Sequence, residues 1–190
     1  MSGSHPLIAV FGSSTVRPEE PAWTLGYDLG RELARAGAVV MTGGYHGAME
    51  ACSQGAHEAG GHVIGVTVEL FERRGPMNRW VKERVHTDRL YSRLEHLVER
   101  ATGFVVLPGS IGTLTELFLS WTLVSVSGRP HAPIVLLGSH WGRFLEALED
   151  PDLVPARLFE FVEHTADPTD AVRRALAPWA MRVADEAPAP

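Results

Sequence analysis

The stretch Phe104-Val105-Val106-Leu107-Pro108-Gly109-Ser110-Ile111-Gly112-Thr113-Leu114-Thr115-Glu116 reads as an apolar strand, a turn with two glycines and the start of an apolar helix. Two glycines let the backbone approach a ligand closely, and the open N–H groups of a helix start face an anion well. Ser110 and Thr113 add hydroxyl donors. The plainer reading is a tight strand-to-helix turn with Thr113 as its cap, and glycine turns of that kind are common.

Outward from this stretch the same order repeats. Residues 7–11 form an apolar run closed by Gly12-Ser13-Ser14, and residues 38–42 another closed by Gly43-Gly44. Residues 62–68, 104–107 and 134–137 are further strands, with residues 159–162 as a last edge strand. Helical spacing occupies residues 22–36, 47–59, 87–101, 113–126 and 141–148. A last helix starts at Asp167-Pro168, an N-cap and first-turn proline, and runs to about Leu176. Residues 71–84 show no clean period and are expected to be a loop with a short helical turn. Apolar strands alternating with helices predict an α/β fold: a doubly wound, Rossmann-like sandwich with a mainly parallel sheet and helices on both faces. One domain is expected over residues 1–183, with an Ala/Pro-rich flexible tail at residues 184–190. The glycine turns follow the strands, at the sheet edge where ligands bind in open parallel sheets.

Composition excludes several functions. At 45% hydrophobic and 21% charged, the 190-residue chain can bury a sizeable core and is not disordered. A net charge of −6 gives no footprint for nucleic acid. One cysteine, Cys52, leaves no disulfide framework and falls on the buried face of a helix. Nine histidines include no paired ligand spacing, so no metal is expected. No apolar run approaches the roughly 20 residues that span a bilayer, and no signal-peptide pattern opens the chain. A cytoplasmic location without membrane contact is expected. Lys82 is the sole lysine, and it lies in a polar stretch. It follows no glycine-rich turn, as a P-loop requires, and is a poor Schiff-base lysine for pyridoxal phosphate. No cofactor is expected. A nicotinamide or flavin remains the competing reading of the glycine turns. Its fingerprint, however, needs glycine where Thr42 stands and normally follows the first strand, although Glu69 could pose as the ribose-binding acid.

Pro108-Gly-Ser-Ile-Gly-Thr-Leu-Thr-Glu116 resembles the Pro-Gly-Gly-x-Gly-Thr-x-x-Glu motif of the LOG ("lonely guy") family. The likeness continues through Val10–Ser14, Thr42–Glu50, Gly55-Ala56 and Gly60–Val66, and spans roughly Leu7 to Leu137. That family contains cytokinin-activating nucleoside-monophosphate phosphoribohydrolases, many first labelled lysine decarboxylases. The resemblance implies hydrolysis of the N-glycosidic bond of a purine nucleoside 5'-monophosphate to free base and ribose 5-phosphate. It implies Arg93 and Glu116 as the catalytic pair. Nucleotide contacts would fall to Gly12, Ser13, Gly43, Gly44, Gly47, Gly109, Ser110, Ile111, Gly112 and Thr113. It also implies a homodimer built through helices such as that at residues 114–126.

The chain departs from the family at Leu94, where lysine usually follows the arginine, and at Leu90-Tyr91, Ser110 and Glu50. Loss of the lysine removes a positive group that would neutralise phosphate. A second reading follows: a non-catalytic nucleotide or molybdenum-cofactor binding protein on the same fold. On the residues alone, Arg93 better suits an exposed helix position; His46, inside a glycine turn, could touch a ligand but better suits a polar loop; and Arg73, Arg74, Arg79 and Arg84 better suit a solvated loop than a pocket mouth.

Overall fold

The computed structural model describes residues 5–73, 75–126 and 132–186, and the side chains only as far as residue 181 at the C-terminal end. Among the described residues there are seven strands: β1 (Leu7–Phe11), β2 (Val39–Thr42), β3 (Val63–Val68), β4 (Glu83–Thr87), β5 (Gly103–Val106), β6 (Ile134–Leu137) and β7 (Val162–Thr165). They pair in parallel throughout, in the order β4-β3-β2-β1-β5-β6-β7. The helices are α1 (Pro21–Arg35), α2 (Ala48–Glu58), α3 (Glu69–Glu72), α4 (Leu90–Arg100), α5 (Ile111–Val126), α6 (His140–Leu148) and α7 (Pro168–Glu186). The doubly wound Rossmann-like sandwich expected from the alternation is what the chain forms.

Each strand sends alternate residues to opposite faces. Ile8, Val10, Val40, Val105 and Leu137 pack against Leu29 and Leu33 of α1, Cys52 of α2 and Ala171 of α7. Ala9, Phe11, Met41, Val66 and Phe104 meet Leu97 of α4, Leu117 and Trp121 of α5 and Trp141 of α6. Chain direction across the sheet reverses between β1 and β5, so the crevice opens at the carboxyl ends of those two strands.

Three elements differ from the sequence reading. Glu83-Arg-Val-His-Thr87, which runs from the end of the expected loop to the first residue of the expected helix, forms β4, the edge strand beside β3. Its charged residues suit an edge, where one side faces water, and they hide the apolar alternation that marks a strand. The last strand falls at Val162–Thr165, after a 3-10 helix at Ala156–Phe161 that takes most of the run expected to be strand. Helix α7 continues past Leu176 through Pro178 to Glu186, into the expected tail; residues 187–190 lie outside the described residues. Among the described residues no helix is long and apolar enough to cross a membrane.

Candidate active site

The glycine turns after β1, β2 and β5 are bonded into one unit at the crevice. The Ser13 amide donates to the Pro108 carbonyl at 3.2 Å, and the Ala48 amide to the Ser13 carbonyl at 2.8 Å. Gly47, at the head of α2, has φ +72° and rests against the backbone of Ser13 and Ser14, where a side chain would collide. Beside this unit lies a cleft of about 390 Å³, walled further by α3, α4 and the first two turns of α5.

Arg93 and Glu116 meet inside it. The apolar stripe of α4 runs through Leu90, Leu94, Leu97 and Val98, and Arg93 stands on the same side, three residues beyond Leu90, so it is carried inward. It is 4% exposed. Its Nε donates to the Val66 carbonyl at 2.8 Å and its Nη1 to Glu116 Oε1 at 3.2 Å. The guanidinium lies 5.5 Å from the Phe71 ring centre, a cation–π distance. Its second terminal nitrogen abuts Gly43, where any Cβ would overlap it. Burial pushes the Glu116 carboxyl above the usual carboxylate range, while the charge and hydrogen bond of Arg93 pull it back. The result is a carboxylate held in a dry site by one fixed cation, able to accept a proton from water or to face a developing positive charge.

The other expected residues divide. Gly12, Ser110, Ile111, Gly112 and Thr113 border the cleft. The amides of residues 111–113 begin α5 and have no acceptor within that helix. Gly43, Gly44, Gly47, Gly109 and Ser13 do not border the cleft. Gly44 is already engaged, its amide donating to Thr42 Oγ1 at 3.0 Å and its carbonyl accepting from the Asn78 amide at 2.9 Å. Gly109 makes room for the buried Thr113 side chain.

The sequence reading left out part of the lining. Tyr45, Met49, Phe71, Leu90 and Leu94 form an apolar wall; His46, which its glycine turn had already offered as a ligand contact, borders the same space. Leu90 and Leu94 could have been found from their place on the stripe that carries Arg93. Phe71 sits on the four-residue α3, too short to show a period. Arg73, Arg79, Arg84 and Lys82 do not border the cleft; Arg79 stacks on Trp80 at 4.4 Å, and Arg84 bonds Thr67 and Glu72. Arg74 lies outside the described residues. Cys52 is fully buried, and burial pushes its thiol up to about 12, so it packs as a small apolar residue. Among the described residues no three His, Cys, Asp or Glu side chains gather as a metal would require.

Solved structures share the fold. The molybdenum cofactor carrier protein of Chlamydomonas reinhardtii aligns at a TM-score of 0.72 and 24% identity, over 93% of this chain and 99% of that one. The molybdenum cofactor binding protein of Rippkaea orientalis aligns at 0.68 and 22%, over 97% and 98%. Curated relatives in sequence are cytokinin riboside 5'-monophosphate phosphoribohydrolases. The one from Mycobacterium tuberculosis is 34% identical over 63% of this chain and 64% of its own length. That from Mycobacterium marinum is 35% identical over 58% of each. One from Arabidopsis thaliana is 30% identical over 65% of this chain and 59% of its own length. The chain thus matches somewhat under two thirds of these relatives' length. The family model described as "possible lysine decarboxylase" matches residues 49–175, from the first turn of α2 into α7 and so across both Arg93 and Glu116, and the chain belongs to that lysine decarboxylase-like, or LOG, family.

Proposed function

We propose that the protein hydrolyses the N-glycosidic bond of a purine nucleoside 5'-monophosphate, AMP or an N6-modified AMP, giving free base and ribose 5-phosphate. The observation that carries this reading is the Arg93–Glu116 pair, buried and 3.2 Å apart in a cleft that also opens on the start of α5. The relatives' names support the reaction class.

The chemistry follows from the parts. The amides of residues 111–113 and the hydroxyls of Ser110 and Thr113 hold the phosphate at the helix start. The sugar then lies along α5 toward Glu116, one to two turns further on. As the bond to the base lengthens, positive charge grows on the anomeric carbon, and the Glu116 carboxylate stabilises it while taking a proton from the attacking water. Arg93 keeps Glu116 ionised and aimed; three of its contacts are internal, so it acts as a strut more than as a phosphate clamp. The family label does not extend to decarboxylation here. A pyridoxal phosphate would need Lys82, which is exposed and outside the cleft, so these residues do not fit that cofactor.

We also infer a homodimer. Ile111 is 78% exposed and Phe118 39%, an apolar edge on α5 beside the cleft mouth. A non-catalytic carrier is the second reading, favoured by Leu94: the cleft wall is apolar there, and the one arginine that borders it among the described residues is already paired. Incubating the protein with AMP and isopentenyl-AMP and separating the products by chromatography decides between them. Released base supports the hydrolase; binding of either nucleotide without release supports the carrier.

A further inference from the structure

Hydrolysis of this kind leaves a difficulty that Arg93 and Glu116 do not solve. A purine departing as an anion is a poor leaving group, so a proton must reach it as the bond breaks. Glu116 takes the proton of water, and Arg93 gives none up near neutral pH. Tyr45 borders the cleft, but its hydroxyl is tied, donating to the Val68 carbonyl and accepting from the Val68 amide, each at 2.9 Å. The hydroxyls of Ser14, Ser110, Thr113 and Thr115 are too weakly acidic. His46 is what remains of the lining.

Its setting suits the task. His46 precedes Gly47 in the turn between β2 and α2, and its Nδ1 is 3.2 Å from Glu50 Oε2 on the first turn of α2. A carboxylate on one imidazole nitrogen fixes the ring and its tautomer, so that the other nitrogen is the one left to act on a ligand. A side chain at residue 75 would cover that other nitrogen, since a Cβ there would stand 2.8 Å from Nε2; the residue is Gly75. The ring is 46% exposed, so it can recover a proton from solvent between turnovers.

We propose that His46, oriented by Glu50, is the general acid that protonates the leaving purine; this rests on the N-glycosidase reading above. In the step, the C1'–N9 bond breaks and its electron pair passes into the purine ring. The Nε2 proton of His46 goes to N7 of the base. Water adds its oxygen to C1' and loses a proton to Glu116. His46 then regains a proton, and Glu116 releases one, so the sum is nucleotide plus water to base plus ribose 5-phosphate.

The test compares AMP with N7-methyl-AMP, whose base already carries the charge and leaves without a proton. His46→Gln and His46→Asn should slow AMP hydrolysis by about 100-fold and N7-methyl-AMP by less than threefold. Glu50→Gln should show the same selectivity with a smaller loss, which a merely structural role would not produce. Equal losses on both substrates, or none on AMP, overturn the inference and leave the N-glycosidase reading standing. A parent protein that releases base from neither nucleotide removes that reading and this inference together.

Discussion

Arg93 and Glu116 stand 23 residues apart in sequence, on α4 and α5, yet their side chains form a buried ion pair at 3.2 Å. The two partners are not equally secured. Arg93 has further anchors in the Val66 carbonyl, the Phe71 ring and the space left by Gly43, whereas Glu116 depends on Arg93 for its charge. Consequences for stability and for activity follow from this asymmetry.

Removing the arginine should strand the acid. Arg93→Ala leaves Glu116 buried without its cation, at a cost of about 3 kcal/mol at neutral pH. Glu116 already has its folded pKa raised by burial, and the loss of Arg93 raises it further. A raised carboxyl favours the fold while protonated, so its contribution is full below the unfolded value and is lost as pH rises through the folded one. The penalty of Arg93→Ala, read from thermal melts, should therefore be large near pH 7 and shrink toward about pH 4, the unfolded carboxyl value. A penalty independent of pH would contradict the dependence of Glu116 on Arg93.

Gly43 should matter through Arg93. Gly43→Ala puts a methyl group where the guanidinium lies, and moving a catalytic support by about 1 Å costs on the order of 100-fold in rate. Gly142 offers a contrast, because it lies inside α6, away from the cleft, and a Cβ there would meet only His164, in ordinary contact at 3.6 Å. Gly142→Ala should keep kcat and raise stability by up to about 1 kcal/mol through helix propensity. Steady-state kinetics beside melting curves separate the two; equal kcat losses would refute the assignment of Gly43 to Arg93.

The start of α7 provides a pH dependence outside the cleft. Hydrogen bonds from Arg173 first, then Thr165 and Arg174, hold the Asp170 carboxyl down at about 2. A depressed carboxyl contributes stability above its unfolded value, about 3.9, and loses it as pH falls through the folded value. Asp170→Asn should thus melt below the parent at pH 7, with the gap closing between about pH 4 and pH 2. A gap that persists at pH 2 would place the effect elsewhere.

Much of this was legible in the chain itself. The glycine turns after apolar runs marked the sheet edge at which the cleft opens, whereas Arg93 was reached through the family resemblance and read, on the residues alone, as an exposed helix position. What stayed hidden was what depends on neighbours far away in sequence. β4 is polar because it is an edge, so its pairing with β3 has no local signature. Gly43 looked like a phosphate turn because nothing nearby in sequence shows that a guanidinium from α4 fills the space beside it. His46 lacked a period of any kind, and its partner Glu50 became meaningful only once α2 set them one turn apart.

The α5 edge should join two copies. Phe118 lies flat on Trp121, ring centres 6.2 Å apart, and presents its outer face beside exposed Ile111. Light scattering of the parent should return about twice 20.7 kDa, and Phe118→Asp should return the single-chain mass. A parent of single-chain mass at micromolar concentration would contradict the homodimer.

The most direct measurement sets turnover against binding in Glu116→Gln. The amide keeps shape and hydrogen bonding but removes the charge that would stabilise the oxocarbenium, an interaction belonging to the transition state. Initial rates of base release from AMP should fall below detection, while AMP affinity by calorimetry stays within a few-fold of the parent. Hydrolysis at the parental rate by Glu116→Gln, or AMP binding by a parent that releases no base, would contradict an N-glycosidase built on Glu116.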